Sequence, residues 1–113
     1  MSVTVQNPSD VANQPFHLLR RMLEERFALH TNRLTELTVQ GRLPDRGGYD
    51  ENVLRALTAA ARQGVAETAE ALRRMAEGTY GVCEGCHKEI PLGRLRALPH
   101  ARYCAPCQQR QPR

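Results

Sequence analysis

Four cysteines constrain this chain more than any other feature. Cys83 and Cys86 form one C-x2-C pair, Cys104 and Cys107 form another, and seventeen residues separate Cys86 from Cys104. That spacing lies in the range of a four-cysteine zinc site. Two residues between ligands let a tight turn aim both sulfurs at one ion, and two such knuckles complete a tetrahedron with Zn–S distances of about 2.3 Å. Gly81, Gly85 and Pro106 suit the turns this requires. Four thiolates saturate the metal, so one structural Zn2+ is expected and no position is left for a catalytic water.

The rival uses of paired cysteines fit less well. A dithiol redox pair needs a strand-helix-strand context that is missing here. Disulfides need an oxidising compartment. Met1 to Gln14 holds no Lys or Arg, no apolar run and no small-residue cleavage site, so a cytoplasmic chain without a secretory signal is expected. No apolar stretch approaches the roughly 20 residues of a membrane span. His87 and His100 could each replace a thiolate, but with four well-spaced cysteines they read as surface residues.

A metal staple also answers a shortage of core. The chain has 113 residues and is 41% hydrophobic, but much of that fraction is alanine. So small a domain needs support from a metal or a partner.

Residues 1–13 read as a flexible tail built on the turn formers Asn7, Pro8, Ser9 and Asp10. Pro15 fits a first helical turn, which makes Asn13 or Gln14 the expected cap. From there the spacing predicts a mainly α fold: an antiparallel two-helix coiled-coil hairpin over residues 14–78 with its tip at 41–50, then a small four-cysteine zinc finger over 79–113. The first seam runs Phe16, Arg20, Leu23, Phe27, His30, Leu34, Leu37. Gly41, Pro44, Gly47 and Gly48 break that helix, Asp50 caps the next, and Gly78 stops it. The second seam runs Leu54, Leu57, Ala61, Gly64, Thr68, Ala71, Met75. Folding back in one register pairs Leu37 with Leu54 and Phe27 with Gly64, giving a rod about 40 Å long.

Charge follows the same division. The formal net charge is +4, and residues 79–113 carry all of it. A basic chain invites a nucleic-acid reading. Four thiolates around one Zn2+ contribute negative charge, however, and bring the metal-bound protein to about +2.

The run Gly78-Thr79-Tyr80-Gly81-Val82-Cys83-Glu84-Gly85-Cys86 resembles the DksA/TraR zinc-finger family of bacterial transcription regulators. The likeness continues through Ile90, Arg94-Leu95, Pro99, Tyr103-Cys104, Ala105-Pro106-Cys107 and Gln108, and Ala71-Leu72-Arg73-Arg74-Met75 is similar too. The resemblance implies a globular zinc finger attached to a helical hairpin. It also implies binding to RNA polymerase rather than promoter DNA, with the hairpin inserted into the secondary channel and acidic tip residues near the active centre. Well-known members carry two Asp three residues apart followed by Ala. This turn instead offers Asp45, Asp50 and Glu51 in the setting Leu43-Pro44-Asp45-Arg46-Gly47-Gly48-Tyr49-Asp50-Glu51. Asp45 and Asp50 are candidates for acting on a catalytic magnesium or a substrate phosphate. The plainer reading makes Asp50 a helix cap and Asp45 a solvated turn residue. His87 stands where many members have Gly.

A polymerase-binding regulator is therefore the leading expectation, with Arg94, Arg96 and Arg102 as candidate contacts to an acidic partner surface. A zinc module using the same arginines on nucleic-acid phosphates is the alternative, with salt-sensitive binding as its mark. An adaptor without tip activity is another. Sequence-specific DNA binding and membrane association are not expected, and the chain is read as a monomer. No Ser-His-Asp arrangement, phosphate-cradling glycine loop or dinucleotide fingerprint supports an enzyme.

Overall fold

A computed structural model describes residues 16–111. The tail expected over 1–13 and the cap expected at Asn13 or Gln14 lie outside the described residues. Two long helices dominate: α1 (His17–Arg42) and α2 (Glu51–Glu77), followed by the short α3 (Leu92–Ala97) and α4 (Ala105–Arg110). The long helices pack as an antiparallel hairpin, and at about 1.5 Å per residue each arm is about 40 Å long. Among the described residues the only β pairing outside helices is an isolated antiparallel bridge between Val82 and Glu89.

Local chemistry sets the ends of these elements. Proline disfavours helical backbone in the residue before it, and Leu43, which precedes Pro44, is extended with ψ 148°. Helix α1 therefore stops at Arg42, so Gly41 and Arg42 are helical rather than part of the turn. One 3-10 turn, Arg46–Gly48, then reverses the chain. The Asp50 carboxylate accepts from the Asn52 and Val53 amides at 2.9 and 3.2 Å and caps α2. At the far end Gly78 adopts φ 78°, and the Thr79 amide donates to the Arg74 carbonyl at 2.9 Å, which closes the helix with a left-handed residue.

Burial divides between two clusters. Near the tip, Leu37, Leu54 and Ala61 are buried, with Leu34, Tyr49 and Leu57 packed against them. At the base, Leu19 and Leu23 of α1 and Ala71 and Met75 of α2 join Tyr80, Cys83, Ile90, Leu95, Ala101 and Cys107 in one core. The hairpin base and the cysteine module thus share a single interior. Each large apolar side chain enclosed there contributes about 1.5–3 kcal/mol.

The hairpin seam differs from its expected course in two respects. Leu19 is buried and Arg20 is exposed, so the seam steps from Phe16 by three and then four residues instead of four and then three. Either path follows one helix face, and the guanidinium stays in water while the leucine is enclosed. The register is also shifted. A Cβ built on Gly64 would lie 2.5 Å from the His30 ring, so His30, not Phe27, occupies the space left by the missing side chain. Gly41, rather than Leu37 alone, lies against Leu54, whose Cδ2 is 3.7 Å from the corresponding position. The displacement is about one helical turn along α1, and half-buried Phe27 packs beside the seam.

Candidate metal centre and hairpin tip

The two knuckles bring the cysteines together from separate elements. Cys83 and Cys86 flank the first turn, where the Cys83 amide donates to the Lys88 carbonyl and the His87 amide to the Cys83 carbonyl, both at 2.8 Å. Cys104 immediately precedes α4, and Cys107 sits within it. All four Sγ atoms lie within 4.8 Å of one another, and Cys86 Sγ and Cys104 Sγ are 3.8 Å apart. A tetrahedron with arms of about 2.3 Å has edges of about 3.8 Å, so the sulfur cage fits one zinc ion.

Backbone donors reinforce that fit. The amides of Gly85, Cys86 and Cys104 reach Cys83 Sγ at 3.3, 3.5 and 3.3 Å. Burial acts to raise the Cys83 thiol, but these amides outweigh it and hold the thiol down at about 6. Cys107 is pushed up to about 12, chiefly by sharing hydrogen bonds with Cys104 and Cys83. Gly85 is favoured by proximity, because a Cβ there would stand 3.0 Å from Cys107 Sγ and press on it. His87 takes φ 62°. Few non-glycine residues adopt that left-handed conformation.

Around the cage, side chains lock the finger to itself and to α2. The Tyr80 hydroxyl donates to the Pro99 carbonyl at 2.7 Å, and its ring meets Phe16 edge-on at 4.9 Å between centroids. Arg74 is buried at 5% exposure. Its Nη2 donates to the His100 carbonyl at 3.3 Å and lies 3.5 Å from that of Ala101, so it bridges helix and finger. Burial lowers its pKa, partly opposed by the nearby Glu84 and Glu70. Little in the sequence distinguishes Arg74 from its exposed neighbour Arg73, which pairs with Glu70 and Glu77. The one available signal is its place beside Met75 on the seam.

The three candidate arginines of the finger are not equivalent. Arg94 is half-buried, and its Nε donates to the Tyr103 carbonyl at 2.9 Å. Arg102 grips Glu84 through two bonds of 3.0 Å, which holds the Glu84 carboxyl below its usual range. Arg96 is exposed on α3.

At the opposite end, the candidate tip acids all have local roles. Asp45 accepts from the Gly47 amide at 3.1 Å, Asp50 caps α2, and Glu51 meets Arg55 at 3.4 Å. All three remain exposed. The hairpin separates them from the cysteines by its full length, so the tip and the metal centre are distinct sites.

Comparison with known proteins places this geometry. Residues 78–113 match the prokaryotic dksA/traR C4-type zinc finger. Over 61 residues the chain is 43% identical to an uncharacterized protein of Aquifex aeolicus, covering 54% of this chain and 42% of that protein. Over 47 residues it is 47% identical to general stress protein 16O of Bacillus subtilis, covering 42% of this chain and 29% of that protein. The chain therefore spans less than half the length of these curated relatives. Its fold is similar to that of the transcription factor DksA2 of Pseudomonas aeruginosa, with a TM-score of 0.56 and 25% identity, covering 91% of this chain and 81% of that one. Residues 78–113 are thus similar to the DksA/TraR C4-type zinc finger, in a chain whose fold is similar to that of a DksA transcription factor.

Proposed function

We propose that this chain is a transcription regulator that binds bacterial RNA polymerase and presents its hairpin tip through the secondary channel, modulating initiation. The observation that carries the reading is a fold similar to a DksA transcription factor over nearly the whole chain, hairpin and finger together. The shared core at the base gives the mechanism its rigidity: the finger docks, and the rod projects the tip a fixed distance from it. On this reading exposed Arg96 is the most available of the three candidate arginines to an acidic partner, because Arg94 and Arg102 already serve internal bonds.

Co-purification of the zinc-loaded protein with core polymerase tests the partner, and transcription with an Asp45→Asn, Asp50→Asn double variant tests the tip. Asparagine retains a carbonyl acceptor for the caps while removing both charges, so the tip keeps its shape. The proposal expects polymerase binding to survive and regulation to weaken. Binding with unchanged regulation would make the chain an adaptor. Failure to bind polymerase, with salt-steep binding to DNA instead, would favour the nucleic-acid alternative.

A further inference from the structure

The acids of the tip are engaged in capping and pairing, whereas some of its cations have no such partner. A cleft of about 400 Å3 between the end of α1, the 3-10 turn and the first turns of α2 is lined by Arg46, Arg55 and Arg62, with Glu51 as its one carboxylate. Glu51 meets Arg55, and Arg62 pairs with no carboxylate among the described residues. Arg46 is the unusual member. Its backbone has φ 52°, and its Nε is shut off from solvent with no hydrogen-bond partner. Glycine would hold that backbone more easily, and two glycines follow at once. A buried, unpaired guanidinium N–H is unfavourable, so the turn holds Arg46 at a cost while the residue lines the cleft.

We propose that this cleft binds the oligophosphate chain of a small anion, whether a nucleotide or free polyphosphate. Guanidinium groups bind phosphate oxygens in pairs of parallel bonds, and three of them converge here. The hydroxyls of Thr38 and Thr58 donate to the Leu34 and Leu54 carbonyls, which leaves the guanidinium groups as the side-chain donors of the cleft. The aromatic residue of the turn, Tyr49, is packed against the Leu37–Leu54 cluster, so no ring is offered for a base to stack on. Recognition therefore rests chiefly on phosphate charge. A nucleic-acid strand would need a longer basic track, whereas Arg94 and Arg102 lie far off on the finger and are tied up internally. The inference concerns the protein alone and stands or fails apart from polymerase binding.

Titration calorimetry of the zinc-loaded full-length protein at low salt, with tripolyphosphate, ATP and a short single-stranded oligonucleotide, tests it. Tripolyphosphate and ATP should both bind at one site, and Arg46→Gln or Arg62→Gln should each weaken binding about tenfold. Arg96→Gln should leave it unchanged. Circular dichroism and zinc content serve as fold controls, and Arg62 on the exposed helix face gives a second variant should Arg46→Gln disturb the turn. Equal affinities assign the site to the phosphate chain alone, and tighter ATP assigns it to a nucleotide. No tripolyphosphate binding, equal weakening by Arg96→Gln, or tighter binding of the oligonucleotide would overturn the proposal.

Discussion

His87 and Arg74 show how single residues tune the metal module. His87 holds a left-handed backbone between Cys86 and Lys88, at a cost of about 1–2 kcal/mol to a residue with a Cβ. His87→Gly should therefore raise the unfolding free energy of the zinc-loaded protein by about 1 kcal/mol, with metal stoichiometry unchanged. A loss of stability would mean that the imidazole makes a compensating contact. Arg74 tethers the helix to the finger carbonyls. Arg74→Ala should cost about 1.5–3 kcal/mol in chemical denaturation, whereas Arg73→Ala, whose ion pairs are exposed, should cost much less. Equal costs would contradict the bridging role. The cysteines were legible in the sequence because metal geometry imposes their spacing. Arg74 was not, because burial of one arginine of an adjacent pair depends on carbonyls 26 and 27 residues away.

At the scale of elements, both long helices and the two caps of α2 were legible, since Asp50 and Gly78 act through local backbone chemistry. The register was not. A seam with Ala61, Gly64 and Thr68 on one side offers few bulky features, so two alignments one turn apart satisfy nearly the same pattern of apolar residues. His30 distinguishes them. Gly64→Ala improves intrinsic helix propensity by about 1 kcal/mol but places a methyl against the imidazole. The single change should be destabilising, and His30→Ala in the same chain should restore stability, giving a strong coupling in a double-mutant cycle. Rescue by Phe27→Ala instead would reinstate the other alignment.

The whole molecule depends on the metal because the cysteines belong to the core that closes the hairpin base. Chelation should unfold the finger and fray the adjoining helix ends, seen as a partial loss of helical circular dichroism with one zinc released per chain. Acid should act in the same direction. Near neutral pH Cys83, held at about 6, is already largely a thiolate, while Cys107, pushed up to about 12, retains its proton in the metal-free state. Zinc binding must expel that proton, so affinity falls as pH falls, and lowering the pH through the Cys83 value adds a further competing proton. Zinc release measured with a chromogenic chelator between pH 8 and pH 5 should rise monotonically, and a flat profile would contradict proton competition.

On the proposed function, a zinc-stapled base aims a rigid hairpin into RNA polymerase. A photoreactive amino acid at Leu43, exposed where α1 ends, tests it most directly when the zinc-loaded chain is irradiated with core polymerase and the adducts are mapped. The account predicts crosslinks to residues lining the secondary channel, lost on Cys104→Ser substitution. Polymerase crosslinks from a probe on the finger with none from Leu43, or crosslinks that persist without the metal site, would contradict it.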